Sequence, residues 1–357
     1  MTQPLTRRFF AASNSCLGFR NYYGDLFTDT RTDRLYIIKG GPGTGKSHFM
    51  KVVARHARNR GYAVTEYACS SDPASLDGLM LTRDGSPTLG FLDGTAPHVF
   101  EPAFPGCDGD YLPLPPFLDR EGLAAQAPTL YALKAASASH YAQAYRLLKA
   151  AALLREDRRE RAAALLTRQP EGRTTALLRE IPRAPGPGIV RRRFLEGVTP
   201  KGCLCLWDTV KTDCRRVIAL RDSYGLAASL LEGLLEGALE RGQEVYACYD
   251  PVEPQRLRHL LLPGCSLAFV TQSREALPLT PTRTVHPDAM LDKGALARER
   301  PLLRLKQLTE NSLLEDAVSA IAAAHALHDR MEAIYKPHID LTAMEDWYHQ
   351  LLARVTA

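Results

Sequence analysis

Gly40, Gly45, Lys46 and Ser47 fall at the spacing G-x-x-x-x-G-K-[ST] within Gly40-Gly41-Pro42-Gly43-Thr44-Gly45-Lys46-Ser47-His48, a spelling suited to holding a polyphosphate. The glycines let the backbone wrap closely round a phosphate and aim successive N–H groups at it. A helix starting near Lys46 turns the positive end of its dipole on the same anion. In such a loop the lysine reaches the β- and γ-phosphates and the Ser47 hydroxyl sits on Mg2+. The run Thr88-Leu89-Gly90-Phe91-Leu92 ends on Asp93. An apolar strand ending in Asp downstream of a phosphate loop is the expected place for the carboxylate that also holds Mg2+. ATP and Mg2+ are the cofactors this chemistry calls for.

Regular elements must carry these residues to one place. The apolar run Arg34 to Lys39 reads as the strand that feeds the loop, and Phe49, Val52, Val53, His56 and Ala57 recur at helical spacing until Arg60-Gly61 closes the helix. A second strand, Tyr62 to Ala68, runs into Cys69-Ser70-Ser71-Asp72-Pro73, and a third ends on Asp93. From about 122 to 168 the composition turns to Ala, Leu and Arg, which predicts two or three inserted helices. Ala132, Ala135, Ala136, Tyr141, Ala144, Tyr145 and Leu148 would form their buried stripe. Pro170 to Pro187 reads as a break in regular structure. It divides a domain over 1–185 from one over 186–357.

Past that break the sequence repeats itself. Arg216 to Ser229 lies on Arg34 to Ser47 without a gap at an offset of 182, and Leu231, Leu234, Leu235, Ala238 and Leu239 continue the helical stripe. Upstream, Arg192-Arg193-Phe194 and Gly202 match Arg8-Phe9-Phe10 and Gly18. The copy lacks the chemistry. Asp222 stands at Gly40, Ala227 at Gly45, Ala228 at Lys46 and Thr271 at Asp93. Without the lysine, and with a carboxylate where a phosphate should dock, the second site is expected to bind no nucleotide polyphosphate. Near the C-terminus Leu313, Leu314, Ala317, Val318, Ile321, Ala324, Met331, Ile334 and Tyr335 form a helical stripe, and Leu341 to Val355 reads as its return helix. His325 and His328 lie on the same stripe at i and i+3 and could hold a metal, but with no acidic or cysteine partner expected nearby they read as core or surface histidines.

A chain of 357 residues with 45% hydrophobic content can bury the cores of two domains. The formal net charge of +5 is unevenly spread. Between Arg146 and Arg193 there are thirteen Lys/Arg against five Asp/Glu, an excess larger than that of the whole chain, so a nucleic-acid surface is one reading of this stretch and a solvated helix face the other. The eight cysteines include no C-x-x-C pair, and no N-terminal segment resembles a signal peptide. Reduced thiols in the cytoplasm are expected. Cys203 and Cys205 alternate as core residues of a strand would. No run approaches the roughly eighteen apolar residues of a membrane span.

Tyr36-Ile37-Ile38-Lys39 leading into the glycine loop, then Cys69-Ser70-Ser71-Asp72-Pro73-Ala74-Ser75-Leu76-Asp77-Gly78, then Asp93-Gly94-Thr95-Ala96-Pro97-His98, resemble a family of functionally uncharacterised bacterial tandem P-loop ATPases. The likeness runs along most of the chain. It implies an α/β fold of two tandem P-loop NTPase-like domains of RecA/ASCE type, each a three-layer α/β/α unit with a helical segment appended, the second degenerate. It also implies ATP binding, with no substrate attached. AAA-type relatives usually end this strand in Asp-Glu, whereas Gly94 follows Asp93 here. By analogy with RecA-like sheets, where the end of the second strand adjoins the loop, Asp72 is the first candidate for the water-activating carboxylate, ahead of Glu101 and His98; its alternative is an ordinary Asp-Pro turn.

The expected function is a cytosolic Mg2+-dependent ATPase with slow turnover, Lys46, Asp93 and Asp72 serving catalysis, and a nucleotide-dependent switch between homologous halves. The degenerate half would serve as a partner surface, with Arg215 or Arg221 as candidates to meet the γ-phosphate. The alternatives are a kinase passing the γ-phosphate to an acceptor under a basic lid, and an ATP-dependent nucleic-acid binder.

Overall fold

The computed structural model describes residues 5–27, 32–96, 100–102, 104–168, 170–273 and 277–355. Its first half runs β1 (Thr6–Phe10), β2 (Ala12–Ser15), β3 (Gly18–Asn21), α1 (Tyr23–Phe27), β4 (Arg34–Lys39), α2 (Lys46–Asn59), β5 (Ala63–Ala68), β6 (Leu76–Thr82), β7 (Leu89–Asp93), β8 (Gly109–Pro113), α3 (Arg120–Ala125), α4 (Ala127–Ala163) and α5 (Glu171–Leu178). The second half runs β9 (Ile189–Arg193), β10 (Glu196–Thr199), β11 (Gly202–Cys205), α6 (Trp207–Asp213), β12 (Arg216–Arg221), α7 (Ala227–Leu239), β13 (Glu244–Tyr249), β14 (Leu257–Leu262), β15 (Leu267–Gln272), β16 (Arg283–Val285), α8 (Lys293–Tyr335) and α9 (Leu341–Val355).

Each half builds a mixed six-stranded sheet, in the order β1-β5-β6-β7-β4-β8 and, read from its corresponding edge, β9-β13-β14-β15-β12-β16. Element for element the two orders are the same. So are finer details: the register shifts at Tyr67/Ala68 in β5 and at Cys248/Tyr249 in β13, and the Ser15 and Thr199 hydroxyls donate to the carbonyls of Gly18 and Gly202 in the turns of the two small hairpins. Equivalent residues meet where the sheets adjoin. The Phe10 N–H donates to the Phe194 carbonyl at 2.8 Å and the Phe194 N–H donates back at 3.4 Å, the reciprocal pair that an approximate two-fold axis between the halves produces.

The sheets bury apolar residues on both faces. Leu35, Ile37, Tyr67 and Leu92 of the first sheet share one core with Val217, Ala219, Leu261 and Val270 of the second, with Tyr23 and Leu26 of α1 and Val210 of α6 joining it. On its outer face the second sheet is covered by α7 and by Leu177 of α5. The first sheet is covered by α2 and, from the far end of the chain, by Met344, Tyr348, Leu351 and Leu352 of α9; the Tyr348 ring stacks on Phe49 with centroids 4.4 Å apart. The return helix thus belongs in sequence to the second half and in space to the first.

The insert is α3 plus one long helix, α4, and its buried positions are Leu133, Ser137, Ala144, Leu148, Ala151, Arg158 and Ala162. Ala132, Ala135 and Ala136 face solvent, a correction to the expected stripe. Within Pro170 to Pro187 the chain makes a helix after all: α5 starts after Pro170, a residue well suited to a helix start because it needs no N–H partner there. The C-terminal helix begins at Lys293, well before Leu313, and carries Pro301 inside it. Helices α4 and α8 pack antiparallel, as the pairs Ser137–Ala324, Arg155–Glu310 and Arg161–Glu299 require. No described helix is long and apolar enough to cross a membrane.

Candidate functional site

β4 and β7 are paired in parallel, with Ile38 opposite Asp93, so their C-terminal ends lie on the same edge of the sheet. That pairing brings the end of β7 beside the loop that leaves β4. The loop closes on itself: the Thr44 hydroxyl donates to the Gly41 carbonyl at 2.9 Å. Gly43 and Gly45 take φ of 69° and 84°, the left-handed region that favours glycine. The Lys46 ammonium lies back over the loop, donating to the carbonyls of Gly41 at 2.7 Å and Gly40 at 3.3 Å, and 3.6 Å from an Asp93 oxygen. The other Asp93 oxygen accepts from the Thr95 N–H, and the Thr95 hydroxyl donates to Gly40. Ser47 accepts from the Leu76 N–H at 2.9 Å, while His48 is exposed. Among the described residues, no side chain accepts a hydrogen bond from the amides of Gly43 to Ser47.

Of the three candidate catalytic residues, Lys46 and Asp93 meet. β6 and β7 stand between β5 and β4 in the sheet, while the segment that follows β5 reaches the start of α2, where the Leu76 N–H donates to Ser47. Asp72 instead closes its own turn, accepting from the Ala74 N–H at 3.2 Å and the Ser75 hydroxyl at 2.5 Å. Asp72→Ala is expected to leave nucleotide binding and turnover within about twofold of wild type. Its cost is about 1 kcal/mol of stability, the usual net worth of an intramolecular hydrogen bond, read as a shift in a denaturant midpoint. A large loss of turnover in a folded variant would restore the catalytic role.

The position after Asp93 is closed to a carboxylate. A Cβ at Gly94 would collide with Ile37 Cγ2 and lie 3.2 Å from the Lys39 ammonium. Glu101 is held by Lys39 at 2.7 Å and by the Tyr111 hydroxyl; these hydrogen bonds, led by that from Lys39, keep its carboxyl below the usual range and make it a weaker base. His98 lies outside the described residues. Arg215 and Arg221 flank β12 in the second sheet, and the element over the first loop is α8. A Cβ at Gly41 would collide with the Tyr335 ring, and one at Gly43 would lie 3.0 Å from Glu332 Cβ.

The second loop shows what became of the copy. The two Asp222 oxygens accept from the consecutive amides of Tyr224, Gly225, Leu226 and Ala227 at 2.8 to 3.1 Å, and the side chain is buried. The carboxylate fills the amide cradle. Thr271, at the place of Asp93, donates its hydroxyl to the Arg258 carbonyl at 2.6 Å and its N–H to His259 Nδ1 at 3.1 Å. A cavity of about 200 Å3 beside this loop is lined by Arg155, Arg158 and Arg159 of α4 and by Asp250, Glu253 and Glu310. Arg155 bonds Asp250 and Glu310, Arg158 bonds Glu310 and Arg159 bonds Glu253. Much of the basic stretch is therefore neutralised within the protein.

Sequence reasoning missed one cluster. Glu196, Cys205 and His259 bring ligand atoms within 4.8 Å of one another. Because His259 Nδ1 accepts from Thr271, Nε2 carries the proton and donates to Glu196 at 3.0 Å; neither ring nitrogen has a lone pair to offer a cation. His325 and His328 make i,i+4 contacts with Asp329 and Glu332. Cys203 is exposed rather than in the core. Comparison of the chain with protein-family models, with curated proteins and with solved structures finds no match.

Proposed function

We propose that the first half binds Mg-ATP at the loop Gly40 to Ser47 and turns it over slowly, and that the second half responds to the bound nucleotide without binding one. The observation that carries this reading is the contrast between the two loops. In the second, four consecutive amides converge on the carboxylate of Asp222, so this backbone shape suits an anion. The first loop has a glycine at the matching position and adds Lys46, whose ammonium already lies across the loop 3.6 Å from Asp93.

Gly43 to Ser47 would supply N–H donors and Lys46 would exchange the loop carbonyls for phosphate oxygens. Ser47 and Asp93 offer the hydroxyl and carboxylate oxygens that Mg2+ prefers, and the ion would neutralise charge between the β- and γ-phosphates. Slow turnover is expected because the candidate positions for a water-activating carboxylate are engaged: position 94 is closed, Asp72 is tied into its turn and Glu101 is held by Lys39. The P-loop class of the fold belongs to this proposal. Three of the arginines meant for a kinase lid or a nucleic-acid surface, Arg155, Arg158 and Arg159, are paired with carboxylates beside the second loop, which counts against both alternatives. A fluorescent ATP analogue titrated in the presence of Mg2+ is expected to saturate at one site per chain. Two sites, or none in a folded protein whose loop is accessible, would refute the reading.

A further inference from the structure

The approximate two-fold axis sets up a direct comparison of what covers each loop. Each long helix leaves its own half and lays its C-terminal turns over the loop of the other. At the second loop the cover is α4: Arg158 donates to the Ser223 carbonyl at 2.9 Å, and the Arg159 side chain packs at Gly225, where a Cβ would lie 3.4 Å from its Cδ. At the first loop the cover is α8, with Glu332 against Gly43 and Tyr335 against Gly41. Gly43 and Gly225 are the same position of the repeat, 182 residues apart.

The charges are reversed between the two covers. The second loop holds an anionic filler, Asp222, and meets arginines. The first loop holds a cation, Lys46, and meets the backbone and Cβ of Glu332 on the last turn of α8, the end at which a helix carries its negative partial charge; the Glu332 carboxylate itself pairs with His328 and Lys336 and feels the field of Lys46. The hydrogen bond from His328, followed by the fields of Lys336 and Lys46, keeps the Glu332 carboxyl below its usual range, so it is ionised at neutral pH. A polyphosphate entering the first loop would bring several negative charges against this end of α8.

The mechanical connection is also present. Just beyond Tyr335 the chain is fixed to the first half: His338 Nδ1 lies 2.9 Å from an Asp119 oxygen, the Asp119 N–H donates to the His338 carbonyl, and α9 packs on α2. By contrast, among the described residues the last two turns of α8, His328 to Tyr335, make no ion pair or side-chain hydrogen bond with the first half; His328, Glu332 and Lys336 pair with one another. The long arm of α8 extends from there to Lys293, and its far end packs beside the second loop, Leu296 and Leu303 sharing a cluster with Ala162 and Leu226. A helix of 43 residues is about 65 Å long at 1.5 Å per residue and packs on α4 at Ser137–Ala324 and Arg155–Glu310, so a displacement of its C-terminal turn would reach the second loop with α4 moving beside it.

We propose that the C-terminal turn of α8, with Glu332 and Tyr335, is a nucleotide-displaced cover: it rests on the first loop at Gly41 and Gly43, Mg-ATP moves it aside about a pivot at Lys336 to His338, and α8 carries the movement to the second loop. The proposal rests on the nucleotide reading above and names the device that regulates that site. Wild type, Glu332→Gln and Tyr335→Ala are compared by titration with a fluorescent ATP analogue and Mg2+, and by hydrogen exchange of the peptides spanning 328–336 with and without Mg-ATP. Glu332→Gln keeps the shape of the side chain and removes only its charge. Both variants are expected to bind more tightly, by roughly fivefold or more, a typical coupling between a site and its conformational partner. In wild type Mg-ATP is expected to lower protection over 328–336, and the variants to show lowered protection without it. Binding by the variants and not by wild type would also support the cover. If wild type binds and the variants bind equally or less tightly, or protection over 328–336 does not fall, the cover is wrong and the nucleotide reading stands. If neither wild type nor variants bind, the nucleotide reading fails and the cover with it.

Discussion

Lys46→Ala is expected to bind Mg-ATP roughly a hundredfold more weakly than wild type, with its fold and melting temperature nearly intact. The ammonium now donates to two loop carbonyls and lies near Asp93, and it is only 10% exposed. On binding it would trade neutral carbonyl acceptors for phosphate oxygens. Hydrogen bonds to charged groups contribute about 1.5–3 kcal/mol each, and tenfold in affinity is about 1.4 kcal/mol. Two such bonds, less the loss of the carbonyl contacts, give about 3 kcal/mol. The stability cost is small because the carbonyls of Gly40 and Gly41 keep the Thr95 and Thr44 hydroxyls as donors. Isothermal titration of the folded variant is the measurement; affinity within a few-fold of wild type would mean that the loop does not hold the nucleotide through this lysine.

The loop, β4, α2 and Asp93 could be read from sequence because each is specified locally: glycines at fixed offsets, an apolar run before them, a 3.6-residue stripe after them. The repeat was legible for a related reason. It preserves the spacing of its apolar positions even where Asp222, Ala227 and Ala228 replace the chemistry. β6 was not legible. Leu76 to Leu81 is buried throughout, so the strand lacks the alternation that marks a half-exposed one, and it follows Ser-Ser-Asp-Pro and contains Gly78, all signs of a turn. Without β6, β5 reads as a close neighbour of β4; in the structure β6 and β7 lie between them, and Asp72 sits in the turn that leads from β5 into β6.

The helical segments failed differently. In α4 alanine occurs on every face, so no stripe stands out and Ala132, Ala135 and Ala136 could pass for core. In α8 the stretch before Leu313 alternates Leu with Arg and Lys and includes Pro301, which reads as a break. The exchange of α4 and α8 between the halves leaves no local trace at all. It depends on which faces meet once both sheets have formed, and on ion pairs such as Arg155 with Glu310 that join residues far apart in sequence. The Lys/Arg excess between Arg146 and Arg193 was correctly counted. Its partners, Asp250, Glu253 and Glu310, lie outside any window that would reveal them.

Asp222→Ala is expected to destabilise the protein by about 3 kcal/mol and to create an anion site where there is none in wild type. The carboxylate is the acceptor for four amides, two of them, those of Leu226 and Ala227, on buried residues and the other two on the more open turn at Tyr224 and Gly225. Removing it leaves those donors facing a cavity lined by the α4 arginines and the carboxylates they pair with, and each buried donor left without a partner costs about 1–3 kcal/mol before water enters. With partial rehydration the sum settles near 3 kcal/mol, which lowers the melting temperature by roughly 5 °C in a chain of this size. The amides and the arginines remain, so a sulfate or phosphate ion can take the place of the lost carboxylate. The melting temperature of Asp222→Ala should therefore rise more than that of wild type when chloride is replaced by sulfate at equal ionic strength, whereas general salting-out would raise both alike. An unchanged melting temperature in chloride would mean that the carboxylate does not hold the loop. Equal responses to sulfate would mean that the amides, freed of Asp222, do not form an anion cradle, and the parallel drawn with the first loop would lose its footing.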